Sequence, residues 1–167
     1  DVYINDIGEN QKYVYDLLID QIRDELGEKN IDDINFMENE KEQTTKSKTT
    51  KSRKTQVRLG YDILQKPIEA LNITYEIPND YSRNNISQYV GKSGLENTMS
   101  YDNKLKNFRY KNGDDEIFKY ENIGYYSSKI KCILENVKKS EGIVMIYSQY
   151  IYGGIIPLAL ALEELGF

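Results

Sequence analysis

The 167-residue chain has no histidine, no tryptophan, one cysteine (Cys132) and three prolines. Without histidine, neither a Cys/His zinc site nor a Ser-His-Asp triad can be built from this chain. One cysteine excludes an internal disulfide framework. No apolar run approaches the roughly 18 to 20 residues that a membrane-spanning helix needs, and no secretory signal pattern opens the sequence. The net charge is −5, so the chain as a whole lacks the basic footprint of a nucleic-acid-binding domain. What is present is tyrosine, at 15 residues, with abundant Ile, Asn and Lys, a bias that suits an A/T-rich genome. Hydrophobic residues make up 39% and charged residues 29%, compatible with a globular protein on the polar side. The chain opens at Asp1 without a methionine and stops just after a helix-ending glycine. Both ends are expected of a piece of a longer protein.

Alternation at Val2 and Ile4 predicts a short strand. Val14, Leu17, Leu18 and Ile22 then fall at helical spacing. They predict an amphipathic helix from Glu9 to Leu26, with Asn5 or Asp6 helping to cap its start and Gly27 as its C-cap. Residues 1–37 form the first unit. Residues 38–56, "ENEKEQTTKSKTTKSRKTQ", hold almost no apolar side chains and cannot repay the entropy of ordering. They read as a disordered polar linker whose basic second half could also attract phosphate. Residues 57–125 read as a helix, kinked or restarted near Pro67, followed by an irregular insertion with Phe108, Tyr110, Ile117 and Phe118 as apolar anchors.

From Tyr126 the pattern sharpens. "SSKIKCILENVKK" sets Ile130, Ile133, Leu134 and Val137 on one helical face, with Ser127 or Ser128 as N-cap and Lys138 and Lys139 at the favourable end. "GIVMIYS" is a continuous apolar run of strand length, as in a parallel strand covered on both faces. In "GGIIPLALALEELG", Gly153 and Gly154 make a turn, Pro157 suits a first helical turn and Gly166 ends the helix. The order helix, strand, loop, helix predicts the start of an α/β domain at residues 126–167.

Several short motifs carry little chemistry. "VGKSGL" has the tail of a phosphate-binding loop in Gly91, Lys92 and Ser93, but the required earlier glycine is Ile86 and no strand feeds it. Gly153 and Gly154 lack the spacing of a dinucleotide-binding turn. Asp114, Asp115 and Glu116 read as solvated charge rather than a metal site, and Cys132 as a small buried residue. Tyr147, Tyr150 and Tyr152 suit core and rim packing, with base stacking by one of them as the alternative. Ser148 and Gln149 are more telling. They stand at the carboxyl end of the predicted strand, the edge where open α/β sheets bind ligands, and a hydroxyl and an amide there can bond a nucleic-acid backbone without reading its bases.

The segment "YSSKIKCILENVKKSEGIVMIYSQYIYGGIIPLALALEELGF" resembles the start of the second RecA-like core of superfamily 2 helicases of the nucleocytoplasmic large DNA virus type. Ser127, Ser128 and Lys129 match the Ser-Ser-Lys stretch before the strand. Ile146, Tyr147, Ser148, Gln149 and Tyr150 match the motif IV signature. Gln11 and Tyr15 are similar to a Gln-x-x-x-Tyr stretch that follows the first core. "LQKPIEALNITYEIP" and "VGKSGL" look like the region between cores.

The resemblance implies a partial RecA-like, P-loop NTPase-like second helicase domain preceded by a helical and irregular linker region. It implies a parent that is an ATP-dependent helicase or translocase, an NTP hydrolase using ATP and Mg. Neither cofactor is expected to bind this stretch alone, because the Walker A loop, the Asp-Glu box and the arginine finger are absent. No catalytic residue is expected here. The implied partners are a DNA or RNA backbone, met by Ser148 and Gln149, and viral transcription or replication machinery, with no membrane. The implied location is intracellular, in the host cytoplasm, a virus factory or the virion. The alternative is a non-enzymatic viral transcription-factor or scaffold subunit with a degenerate helicase fold.

Overall fold

The computed structural model describes residues 4–38, 63–78, 83–112 and 116–167. Helix α1 spans Glu9–Glu38, and a second helix, α2, covers 63–72. A 3-10 helix (Arg83–Tyr89) leads into α3 (Gly91–Thr98). Strands β1 (Met99–Asp102) and β2 (Asn107–Tyr110) form an antiparallel hairpin in which Met99 faces Tyr110 and Asp102 faces Asn107. Helices α4 (Tyr120–Tyr126) and α5 (Ser128–Lys139) follow. One π turn (Ile151–Ile155) then enters α6 (Ile156–Glu164). The described chain is therefore mostly helical with one small sheet, a mixed α and β architecture.

The C-terminal helices follow their sequence signals. Ser127 caps α5, its hydroxyl accepting from Ile130 N–H at 2.9 Å, and Ile130 and Leu134 are buried. Lys138 and Lys139 occupy the last turn of α5. Pro157 sits in the first turn of α6, and Gly166 takes φ +95° after its end.

Elsewhere the structure corrects the expectations. Gly27 does not end α1, which runs on to Glu38. A lone glycine costs a helix only about 1 kcal/mol, which neighbouring turns can absorb. Ile4 lies in no strand, while Val2 falls outside the described residues. So does nearly all of the polar stretch 38–56, of which only Glu38 is described, as the last residue of α1. Helix α2 buries Pro67, Glu69 and Ala70 instead of its aliphatic positions; Leu64 and Leu71 are exposed.

The largest correction concerns residues 78–125. Their described part is not an irregular insertion but supplies much of the core. Leu95, Met99, Ile117, Phe118 and Ile123 pack with Ile73, Tyr75, Ile130, Leu134, Leu158, Leu160 and Ala161. A second cluster joins Val14, Leu17 and Leu18 of α1 to Ala70, Ile86 and Val90. The segment after α2 threads between these layers. Thr74 N–H reaches Tyr126 O at 3.0 Å, Tyr75 N–H reaches Tyr89 O at 2.9 Å, and Thr74 forms an antiparallel bridge with Val90.

Among the described residues Tyr75 is the largest fully buried side chain, and its hydroxyl has no hydrogen-bond partner there. Burial, and then the nearby charge of Glu69, push its pKa upward, so the phenol stays neutral. A buried hydroxyl without a partner costs roughly 1 to 3 kcal/mol. Tyr75→Phe is therefore expected to stabilise the protein by about 1 kcal/mol, read as a higher denaturant midpoint with unchanged slope.

Candidate functional site

After α5 the chain passes Gly142, at φ +106°, into the apolar run 143–147. The expected buried parallel strand is absent. Residues 143–147 belong to no strand, and the one sheet among the described residues is the β1–β2 hairpin. Ile143, Met145 and Tyr147 are 103%, 92% and 88% exposed, whereas Val144 is 44% exposed and Ile146 packs against the main core. The physical reason is plain. A parallel strand needs hydrogen-bonding neighbours on its edges and layers on both faces, and the described residues offer neither.

Ser148 and Gln149 close this run. The Ser148 hydroxyl accepts from Tyr150 N–H at 3.1 Å and donates to Tyr150 O at 3.1 Å, so it braces its own turn. Gly154 leaves room for it, because a Cβ there would run into Ser148 Oγ and push the hydroxyl off its two bonds. The Ile155 N–H also bonds Tyr150 O, at 2.9 Å, tying the π turn down. Gln149 is exposed, and its amide makes no hydrogen bond within the described residues. Of the two predicted contacts, Gln149 is the one available to a ligand.

Two motifs that carried little in the sequence meet in space here. The Gly153 Cα lies against Glu69, where an added Cβ would come within 3.0 Å of Glu69 Cγ. On its other side, the Glu69 carboxylate crowds Gly91, the first residue of α3, which takes φ +57°. Lys66 Nζ pairs with Glu69 Oε2 at 3.1 Å, and Gln65 Nε2 donates to Oε1 at 3.4 Å. A carboxylate beside a helix N-terminus is favourably placed. It also occupies the end of α3 where a phosphate would have to bind. Lys92 is turned elsewhere, pairing with Glu96 at 3.5 Å and lying 5.2 Å from the Tyr152 ring centre. The position of the missing earlier glycine, Ile86, is buried in the 3-10 helix. "GKS" therefore starts a structural helix, and these residues do not fit ATP or Mg.

The stretch matching Ser-Ser-Lys is equally committed. Gln11, fully buried, donates from Nε2 to Ala70 O at 3.0 Å. Its Oε1 accepts from Ser128 N–H at 2.9 Å and from Ser128 Oγ at 3.2 Å. Ser127 Oγ donates to Asn72 O at 2.5 Å, and Lys129 Nζ to Asn72 Oδ1 at 2.7 Å. Gln11 and the residues 127–129 thus bolt α1, the end of α2 and the start of α5 together. Sequence reasoning singled out these residues but not their joint structural duty, which spans over a hundred positions and leaves no local trace.

Among the described residues no group of His, Cys, Asp and Glu is placed to hold a metal ion, and no helix is long and apolar enough to cross a membrane. Asp114 and Asp115 lie outside the described residues, and Glu116 pairs with Lys119 at 2.6 Å. Cys132 is half-buried rather than fully enclosed. No family model, curated protein or solved structure matches the chain.

Proposed function

We propose that this chain is part of an ATP-dependent nucleic-acid helicase or translocase, contributing the region between two motor cores and the motif IV strand of the second. The observation that carries the reading is the run 143–147. It is a strand-length apolar segment with three side chains almost wholly exposed and no strand beside it. Such a segment suits a sheet supplied by the rest of a RecA-like core. The "YSQY" signature closes that run, and Gln149 stands free at its end. Leu64 and Leu71 on α2 are also partly exposed. In this reading ATP and Mg belong to other parts of the parent, and Gln149 meets a DNA or RNA backbone in a viral transcription or replication setting, in the host cytoplasm or the virion.

A second reading, a non-enzymatic scaffold subunit with a degenerate motor fold, is favoured by the commitment of Ser148 to its own turn and of Glu69 to the start of α3. Alanine substitutions separate the two. In the full-length parent, Gln149→Ala is expected to weaken binding of single-stranded oligothymidylate or oligouridylate several-fold, and to lower strand-stimulated ATP turnover, without altering the melting temperature. A neutral backbone contact is worth about 0.5 to 1.5 kcal/mol, which sets that scale. Ser148→Ala is expected instead to cost about 1 kcal/mol of stability through the two lost turn bonds. Unchanged strand affinity and turnover in Gln149→Ala would leave the scaffold reading standing.

A further inference from the structure

A pocket of about 370 Å3 opens between α1, the segment 76–78 and the end of α4, away from the run 143–154. Asn10, Tyr13, Glu76, Tyr125 and Tyr126 line it, together with Ile77 and Pro78. Its size is within the usual range for small-ligand sites. Asn10 and Tyr13 share a face of α1, three residues apart. Tyr125 and Tyr126, both lining residues, stand edge to face, with centroids 5.1 Å apart and planes at 89°.

The chemistry of the lining points one way. Asn10 Nδ2 donates one of its two hydrogens to Thr74 Oγ1 at 3.0 Å, and the Asn10 carbonyl oxygen makes no hydrogen bond among the described residues. Glu76 is exposed and makes no ion pair among the described residues. No lysine or arginine lines the pocket. The lining thus offers a carboxylate, an amide oxygen and aromatic side chains, which attract positive charge, and no cationic side chain to neutralise a phosphate. Aromatic faces reward a cation most when it sheds water easily, as alkylated ammonium groups do.

We propose that this pocket binds an organic ammonium group, methylated at nitrogen, carried either by a small choline-like molecule or by a methylated lysine side chain. Tyr125 and Tyr126 supply the walls, Tyr13 the α1 side, and Glu76 the counter-charge. The inference stands independently of the helicase reading.

The test is a titration of the whole chain with choline, with its neutral isostere 3,3-dimethylbutanol, and with a trimethyl-lysine peptide, followed by the ring signals of the tyrosines in NMR. Choline is expected to shift Tyr125 and Tyr126 saturably, and the neutral isostere to bind about tenfold more weakly. Tyr125→Ala, at an exposed position, is expected to lower affinity about tenfold, and Glu76→Gln about threefold with a flatter salt dependence. A peptide that binds tighter than choline assigns the source to a protein partner, whereas equal binding assigns it to the small molecule. The proposal is overturned if choline produces no saturable shift, if the neutral isostere binds as well, or if adenosine shifts these rings where choline does not.

Discussion

Gly94→Ala is expected to destabilise the protein by about 3 kcal/mol, although alanine is the better helix former. A Cβ at Gly94 would run into Tyr75 Cδ2 and come within 2.9 Å of Tyr75 Cε2 and of the Tyr89 carbonyl carbon. Neither neighbour can retreat. Tyr75 is enclosed in the main core and Tyr89 C is backbone, held by the bond from Tyr75 N–H to Tyr89 O. Overpacking of this kind outweighs the roughly 1 kcal/mol that alanine gains over glycine in a helix. The control is Gly124 in α4, where an added Cβ meets only the Lys131 side chain, at 3.7 Å or more. Gly124→Ala is expected to stabilise, by about 0.5 to 1 kcal/mol. Urea titrations of the two variants should therefore move in opposite directions. A neutral Gly94→Ala would mean that α3 does not pack on Tyr75 as described.

Gln11→Ala is expected to cost about 3 kcal/mol, from a cavity and from the stranding of Ala70 O and Ser128 N–H. For a chain of this size that corresponds to a melting temperature lower by about 6 to 12 °C. The loss should begin at α1. Amide exchange around Val14 and Leu18 should accelerate before that of Leu134 or Leu158, because Gln11 is the main polar link from α1 to α5. Gln11→Glu should do no better, since a carboxylate cannot donate to the Ala70 carbonyl. Loss spread evenly over both clusters would show that α1 and the main core open as one unit.

These two positions also mark what was legible in the sequence. Helices α5 and α6 were readable because their signals are local, a cap and a periodic face in α5 and end-marking residues in α6. Ser127 begins one helix, and Pro157 and Gly166 bracket the other. The stretch 78–125 was not readable, because its helices and strands run four to eight residues, too short to display a period. Its packing residues are recruited from everywhere in the chain. The end of α1 was misplaced because one glycine is a weak stop. At the candidate site, the apolar run and the "YSQY" turn could be located by eye, but the lack of a partner strand could not. The meeting of "GKS" and "YGG" through Glu69 was invisible for a different reason. A buried glutamate looks like any other until the glycines that give it room are placed around it. The tyrosine pocket left no motif at all, since its walls come from α1, from 76–78 and from α4.

The bolt between Gln11 and Ser128 joins residues 117 positions apart. On a ribosome adding roughly 5 to 20 residues per second, α1 waits roughly 6 to 23 s for its partner to be made. During that interval Val14, Leu17 and Leu18 have no α5 to anchor them. Their first companions are Ala70, Ile86 and Val90, which emerge earlier. Vectorial synthesis thus favours assembly of the smaller cluster first, with the hydrogen bonds to Ser128 locking it afterwards. A chain interrupted before Ser128 keeps its hydrophobic nucleus yet lacks the latch. Such truncated products are the species a holdase chaperone or a protease would meet.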